Sequence, residues 1–521
     1  MLKLKPFRSA LLGCAAVGIL GACSGSSDVA SPGVGAFVPA PTPTTPTPTT
    51  PTPTTPTPGT PAADCPAGFS NVGTVSNKRI CQLPSTITGN LVVPARAGTI
   101  YSISGRTQVG TDQGPNPLSP LTGSAAGILT VEAGVTIFGN SGLDYLLVNR
   151  GSQIFAEGTQ TNPVIMTSRQ NVEGTATDTS IGQWGGLVIA GRGPTTDGCT
   201  TASVTPPNIA CEAQVEGTNG FYGGNSTADN SGRIRYLRLS FSGFELAPGN
   251  ELNGITLAGV GSGTTIDHVQ LHNSSDDGIE IFGGNVNLKH LVISGADDDG
   301  FDLDSGWRGA AQFGIIYQRT GGGDRGFEAS SRGTNTTDFF SRPTYSNWTI
   351  VARSSATTGR ALTFNSGHTG RVYNSVITAA DGSTKQCINL DGAVTLTNAS
   401  YGAAGSTTPT GPIFNSVFLS CAGGSYHGSG TLTDAQVQAQ VEAGTNIVVG
   451  TSTLTGGFIN GANETAVPAS TFPTFLNTGV GLSGSTTTNF LTPVTYIGAV
   501  QNASDTWYAG WTCGIPGQPA C

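Results

Sequence analysis

Apolar–polar–apolar triplets recur along the middle of the chain, each after a small residue. They read NGITLAG from Asn253, DGIEIFG from Asp277, DGFDLDS from Asp299, RGFEASS from Arg325 and RALTFNS from Arg360. A second apolar-rich segment follows most of them, as in Thr265–Asn273, Asn287–Gly295 and Tyr345–Ala352. Asp277 and Asp299 are 22 residues apart, and so are His268 and His290. Alternation with a period of two predicts half-buried strands, and helical spacing is missing. Short strands at a fixed period, with Gly and Asn between them, predict an all-β solenoid, a parallel β-helix. Each turn then buries its apolar positions against its neighbours.

The same rhythm begins upstream. ILTVEAGVTIFG (Ile128–Gly139) and LLVNRGSQIFAEG (Leu146–Gly158) place Val131 and Val148 at equivalent positions, and NPVIMTS adds a short strand. The one helix candidate is Thr433–Gly444, with Thr433 or Asp434 as its cap and Gly444 as its stop. The expected organisation is a leader over residues 1–22, a linker over 23–64 and an N-terminal cap with first strands over 65–127. The β-helix follows over 128–430, and a C-terminal cap over 431–521 closes its open end.

The termini and the composition add location. Lys3, Lys5 and Arg8 precede an apolar run too short to span a bilayer. Pro39–Pro61 alternates Pro with Thr, cannot build a core, and as polyproline II reaches about 70 Å. Removing the leader takes three of the 23 basic residues and none of the 32 acidic ones, which leaves a net charge of −12. Such a chain, without basic runs, is a poor partner for nucleic acid. Eight cysteines of the exported part fall in near pairs: Cys65/Cys81, Cys199/Cys211, Cys387/Cys421 and Cys513/Cys521. An even count outside the cell implies disulfides, and nearest-neighbour pairing is the simplest of many connectivities.

The repeat register sorts the acidic residues into columns. One column runs Asn253, Asp277, Asp299, Arg325, and Asp276, Asp298 and Asp324 precede its last three members. Turns alone explain carboxylates before Gly. A third column, Glu280, Asp302 and Glu328, lies between inward apolar residues and must face outward. Like charges about 5 Å apart raise one another's proton affinity unless Arg or a cation separates them. Asp277, Asp299 and Asp302 are therefore candidate ligands for Ca²⁺, which favours several hard oxygens. Asp304, Trp307, Arg308, Arg325, Arg332 and His368 lie near the same strand ends and complete a candidate polymer-binding surface with Glu280, Asp302 and Glu328. The aromatic residues Tyr317, Phe327, Trp348 and Tyr373 are also near in sequence. Trp184 in GQWGGL reads as a packed aromatic. His268 and His290 share a register and face outward, but no third ligand is evident, so they read as a solvated pair.

Three resemblances sharpen this reading. The Leu20-Gly21-Ala22-Cys23 end of the leader resembles the bacterial lipobox, which implies lipidation at Cys23, an anchor rather than a span, and the outer membrane. The region from Ile128 to Gly424 resembles right-handed parallel β-helix proteins, including bacterial surface lipoproteins; GQWGGLVIAGR, the DDG turns and YIGAV…WYAGWT carry the likeness. NSSDDG and ADDDG resemble motifs of polygalacturonase-type glycoside hydrolases, which implies catalytic roles for Asp277, Asp298 and Asp299; Arg325 stands where that family has His. Polysaccharide lyases of this fold use Ca²⁺ with a Lys or Arg base, a role the resemblance would give to Lys289 or Arg325. The function expected is binding of a polymer, in the first place a polysaccharide, at the cell surface. Polysaccharide hydrolysis or lysis is the enzymatic alternative, and a structural or adhesive surface protein is the third.

Overall fold

The computed structural model describes residues 59–199, 206–247, 250–331, 340–353, 359–379, 383–398, 410–471 and 490–521. The leader, Cys23, the Pro-Thr linker up to residue 58, and Arg332 lie outside the described residues. Among the described residues no helix is long and apolar enough to cross a membrane.

Two long sheets are stacked turn upon turn, one of 16 strands and one of 11 among the described residues. The triplets form the second, narrower sheet. Ile255 pairs with Ile279, Ile279 with Phe301, Phe301 with Phe327, and Phe327 with Leu362, all in parallel. This is the register expected from the repeat. The segments after the triplets form the wider sheet: Thr265–His272 pairs with Asn287–Ser294, which pairs with Ala310–Tyr317 and then Thr344–Ala352. Each of these strands bends at a residue with positive φ: His268 (56°), His290 (52°), Phe313 (63°) and Asn347 (58°). Pairing skips that residue, and its side chain leaves the sheet.

The glycine of each DDG turn has a steric reason. A Cβ on Gly278 or Gly300 would lie 2.5 Å from the carbonyl oxygen of the next turn's glycine. The core is one continuous stack running through Leu257, Ile281, Leu303 and Ala329 in one sheet and Leu271, Ile293, Ile316 and Ile350 in the other.

Several expected boundaries move. Parallel pairing already starts at Lys78–Gln82 with Thr99–Ile103 and ends with Ile447–Val449, so the solenoid exceeds residues 128–430 at both ends. Val131 and Val148 are not equivalent: Val131 pairs with Ala156 in the wider sheet, and Val148 pairs with Ile189 in the narrower one. Both sites alternate alike, so the local pattern could not assign the sheet. The helix forms at Asp434–Glu442, capped by Thr433 with Gln436 in a capping box. Beyond it, the C-terminal segment does not simply close the end. It returns along the outside of the wider sheet, where Phe458, Ala499, Val500, Trp511 and Ile515 cover outward Val292, Ile315 and Val351. Gln270 exchanges two hydrogen bonds with the Cys513 backbone, at 2.6 and 2.9 Å, and Gln312 two with Thr492. The four disulfides are Cys65–Cys81, Cys199–Cys211, Cys387–Cys421 and Cys513–Cys521, the nearest-neighbour set.

Candidate functional site: a ladder of carboxylates

The turns that enter the narrower sheet, and the outer face of its strands, gather the acidic residues. Ile279 and Ile281, Phe301 and Leu303, and Phe327 and Ala329 all sit in the core. Glu280, Asp302 and Glu328 therefore point away from it, as alternation requires. Outward does not mean exposed. Glu280 is only 7% exposed, whereas Asp302 and Glu328 are half-buried. Glu280 accepts a 2.6 Å hydrogen bond from Asn253 Nδ2. The strands Ala213–Gln214 and Phe221–Tyr222 explain part of the burial, because Val215 and Tyr222 pack with Leu252, Ala258 and Phe282 on this outer face. They also bring Glu216 into the field of Glu280 and Asp276.

The aspartates of the turns divide by role. Asp277 accepts from the Asp299 amide at 3.0 Å, and Asp299 accepts from the Arg325 amide at 2.6 Å. Each thereby ties its turn to the next, and both are buried, at 6% and 2% exposure. Asp298 is exposed, and Asp276 and Asp324 are half-buried. Ligand oxygens of Asp277, Glu280 and Asp302 lie within 4.8 Å of one another, and so do those of Asp299, Asp302 and Glu328. Asp302 belongs to both groups, and its Oδ1 is buried with no hydrogen-bond partner among the described residues.

The electrostatic result is high proton affinity. Burial, and then the neighbouring charges, push Asp277, Glu280, Asp299 and Asp302 well above the usual carboxylate range. Burial, with Asp298, Glu251 and Glu216, pushes Asp276 up to about 7. Arg325 closes one end of the ladder. Its Nη1 lies 2.7 Å from Glu328 Oε2, 2.9 Å from Asp324 Oδ2 and 3.7 Å from Asp299 Oδ2. Burial works against its charge, but Asp299, Glu328 and Asp324 outweigh that and hold its proton more firmly. Lys385 stands behind the same turn and is 1% exposed, with its Nζ 3.4 Å from the Gly323 carbonyl and also bonded to that of Asp324. Burial pulls it down to about 8, against Asp324 and Asp299. Lys385 and Glu216 carry no repeat signal and were not legible in the sequence.

Residues 119–461, well over half of the chain, match the family described as a pectate-lyase-like β-helix domain. The chain belongs to this family. No curated protein and no solved structure matches it. As a member of the pectate-lyase-like β-helix family it holds its acidic columns at the spacing of successive parallel strands, about 4.8 Å, which is what makes them a ladder.

Other expected site residues fall elsewhere in this β-helix. Trp307 is fully buried in the core and donates its Nε1–H to the Val286 carbonyl at 3.1 Å, so it is not a surface platform. His368 is also fully buried, 3.3 Å from Tyr345 Oη, and burial pulls it down to about 3. Phe327, Trp348 and Tyr373 are buried too. Tyr317 alone of the named aromatics is half-buried, with Arg353 at 4.7 Å over its ring. Arg308 is 8% exposed and donates to the Phe340 carbonyl, and Asp304 is 7% exposed. Lys289 is on the wider sheet, bonded to Thr492 and 4.8 Å over Phe490, not beside the ladder. Trp184 is packed, as its glycine neighbours implied, and donates to the Ser240 carbonyl. A cavity of about 460 Å³ lies apart from the ladder, between His272, Tyr317, Arg319 and the Cys513–Cys521 loop.

Proposed function

We propose that the protein binds a polysaccharide along the carboxylate ladder, with Ca²⁺ as counter-charge, at the outer surface of a cell to which Cys23 tethers it by lipid. The observation that carries this reading is the pair of carboxylate groups joined through Asp302. The donors fit the ion: they are hard oxygens, several per site, and one of them lacks a hydrogen bond. Asp277, Glu280 and Asp302 would hold one ion, and Asp299, Asp302 and Glu328 another. A bound Ca²⁺ supplies positive charge with coordination positions left for sugar oxygens. The chain's own part is to fix the carboxylates at strand spacing, to counter the far end with Arg325, and to leave Asp298, Asp302 and Glu328 within reach of solvent.

Binding is favoured over cleavage by Asp277, Asp298 and Asp299. Asp277 and Asp299 each have an oxygen committed to a turn amide and are nearly inaccessible. A panel of acidic and neutral polysaccharides, tested for retention and for cleavage with Ca²⁺ or chelator, decides. The expected result is Ca²⁺-dependent retention that Asp302→Asn abolishes. Retention of nothing in either condition refutes the reading and leaves a structural or adhesive role. New chain ends would replace binding with catalysis.

A further inference from the structure

The wider sheet carries a second cluster of ligating side chains, independent of the ladder. His268 and His290 occupy the positive-φ bends of neighbouring turns, which turn both rings outward. The rings stack at 4.2 Å with planes 24° apart. Asp267 precedes His268 on the same strand, and its Oδ1 lies 2.9 Å from His268 Nδ1 and 2.7 Å from His290 Nδ1. This is a third side chain able to ligate, which the repeat register alone did not reveal. The three donor atoms all lie within 4.8 Å of one another.

A hydrogen-bonded Asp–His pair accounts for only part of this arrangement. His290 makes the directed bond to Asp267. His268 Nδ1 approaches the same oxygen off-line; it is buried and has no hydrogen-bond partner among the described residues. Two nitrogens thus converge on one anionic oxygen, only one of them in hydrogen-bond alignment. The surroundings hold the rings in place. Tyr236 stacks on His268 at 4.4 Å and Phe313 on His290 at 4.9 Å, while Trp511 and Trp507 of the C-terminal segment stand 5.7 and 5.1 Å from the two imidazoles. Side-chain exposures of 14, 21 and 22% for His268, Asp267 and His290 leave one side open to water.

We propose that Asp267, His268 and His290 form a Zn²⁺ site with an open fourth position. Two imidazole nitrogens and one carboxylate oxygen suit zinc, whereas calcium requires more oxygens. With bonds of about 2.0–2.1 Å, tetrahedral ligands sit roughly 3.3 Å apart, so the nitrogens withdraw from Asp267 Oδ1 by about half an ångström and the stacked rings tilt to aim both lone pairs at one point. Water fills the remaining position. Arg235, whose Nη2 is 3.7 Å from Asp267 Oδ2, is the cation that must swing away, whereas Lys289, paired with Asp267 across the strands, already holds its Nζ on Thr492. Arg235 is half exposed and free to do so.

The test uses the full, tag-free chain in excess Ca²⁺, so that the hard-oxygen ladder does not compete for zinc. Equilibrium dialysis should leave one Zn²⁺ per chain. Asp267→Asn, His268→Gln and His290→Gln should each weaken retention at least about ten-fold, the lower end for loss of even an outer-shell partner. Asp302→Asn should leave it unchanged, which separates this site from the ladder. Co²⁺ in place of Zn²⁺ should give the intense visible bands of four-coordinate cobalt, and these should vanish in Asp267→Asn. If a His variant fails to fold, Asp267→Asn and the cobalt spectrum decide. Absence of retained Zn²⁺, or retention unaffected by all three substitutions, overturns the proposal.

Discussion

Asp276→Asn should make the metal-free protein more stable at neutral pH and leave it unchanged in acid. Asp276 has an ordinary value of 3.8 that the folded state raises to about 7. Below both values it is protonated folded and unfolded, and contributes nothing. Between them the folded chain keeps a proton that the unfolded chain releases, so stability falls as pH rises. Each pH unit is worth about 1.4 kcal/mol, so the full window amounts to about 4 kcal/mol, complete by roughly pH 7. With about 410 described residues and an unfolding entropy of about 2.1 cal/mol/K for each, the shift in Tm is about 5 °C. The neighbouring carboxylates titrate with Asp276, so their effects do not add to it.

The readout must be the gap between variant and parent, not the parent's own profile. Burial pulls His272 down to about 4 and His368 to about 3. Those imidazoles gain stability as pH rises towards their unfolded value near 6.5, which opposes the carboxylates. Thermal melts followed by circular dichroism from about pH 4 to about pH 8, in chelator and in Ca²⁺, isolate the term. In chelator the gap should open with pH. In Ca²⁺ it should close or reverse, because the cation replaces the proton. A gap that stays constant across the range would refute the assignment of Asp276 to a buried anionic cluster.

Other expectations follow from single contacts. Asp299→Ala removes the acceptor of the Arg325 amide and should destabilise by about 1–3 kcal/mol in urea melts, whereas Asp299→Asn, which can still accept, should recover most of it. Trp348→Ala opens a cavity among Phe301, Phe327 and the Ala311 carbonyl and should lower stability by about 3–5 kcal/mol without changing Ca²⁺-dependent retention of polysaccharide. Replacing Cys387 and Cys421 by Ser opens a loop with a sequence separation of 34 and should lower unfolding free energy by about 4 kcal/mol, measured against the parent under oxidising conditions.

The sequence by itself determined the register of the triplet turns from Asn253 to Arg360 and the faces of their strands, though not the register of Val131 and Val148. Alternation is a local property: Ile279 and Ile281 could not point inward without sending Glu280 outward, and Gly278 and Gly300 had to lack a side chain where turns close. Near pairs of cysteines likewise found each other within a turn or two. Tertiary structure decided what covers those faces. Glu280 is outward yet buried because a hairpin distant from it in the repeat packs on the same side, and burial, more than charge spacing, sets its proton affinity. Trp307 and His368, at strand ends where the pattern is weakest, went into the core. The C-terminal segment covers the wider sheet rather than the end because Val292, Ile315 and Val351 leave apolar surface there that only a remote part of the chain could remove from water. Asp267 became a ligand candidate for a related reason. Its neighbour in the next turn, His290, lies 23 residues away in sequence, and only the bend of the strand brings both nitrogens to one oxygen.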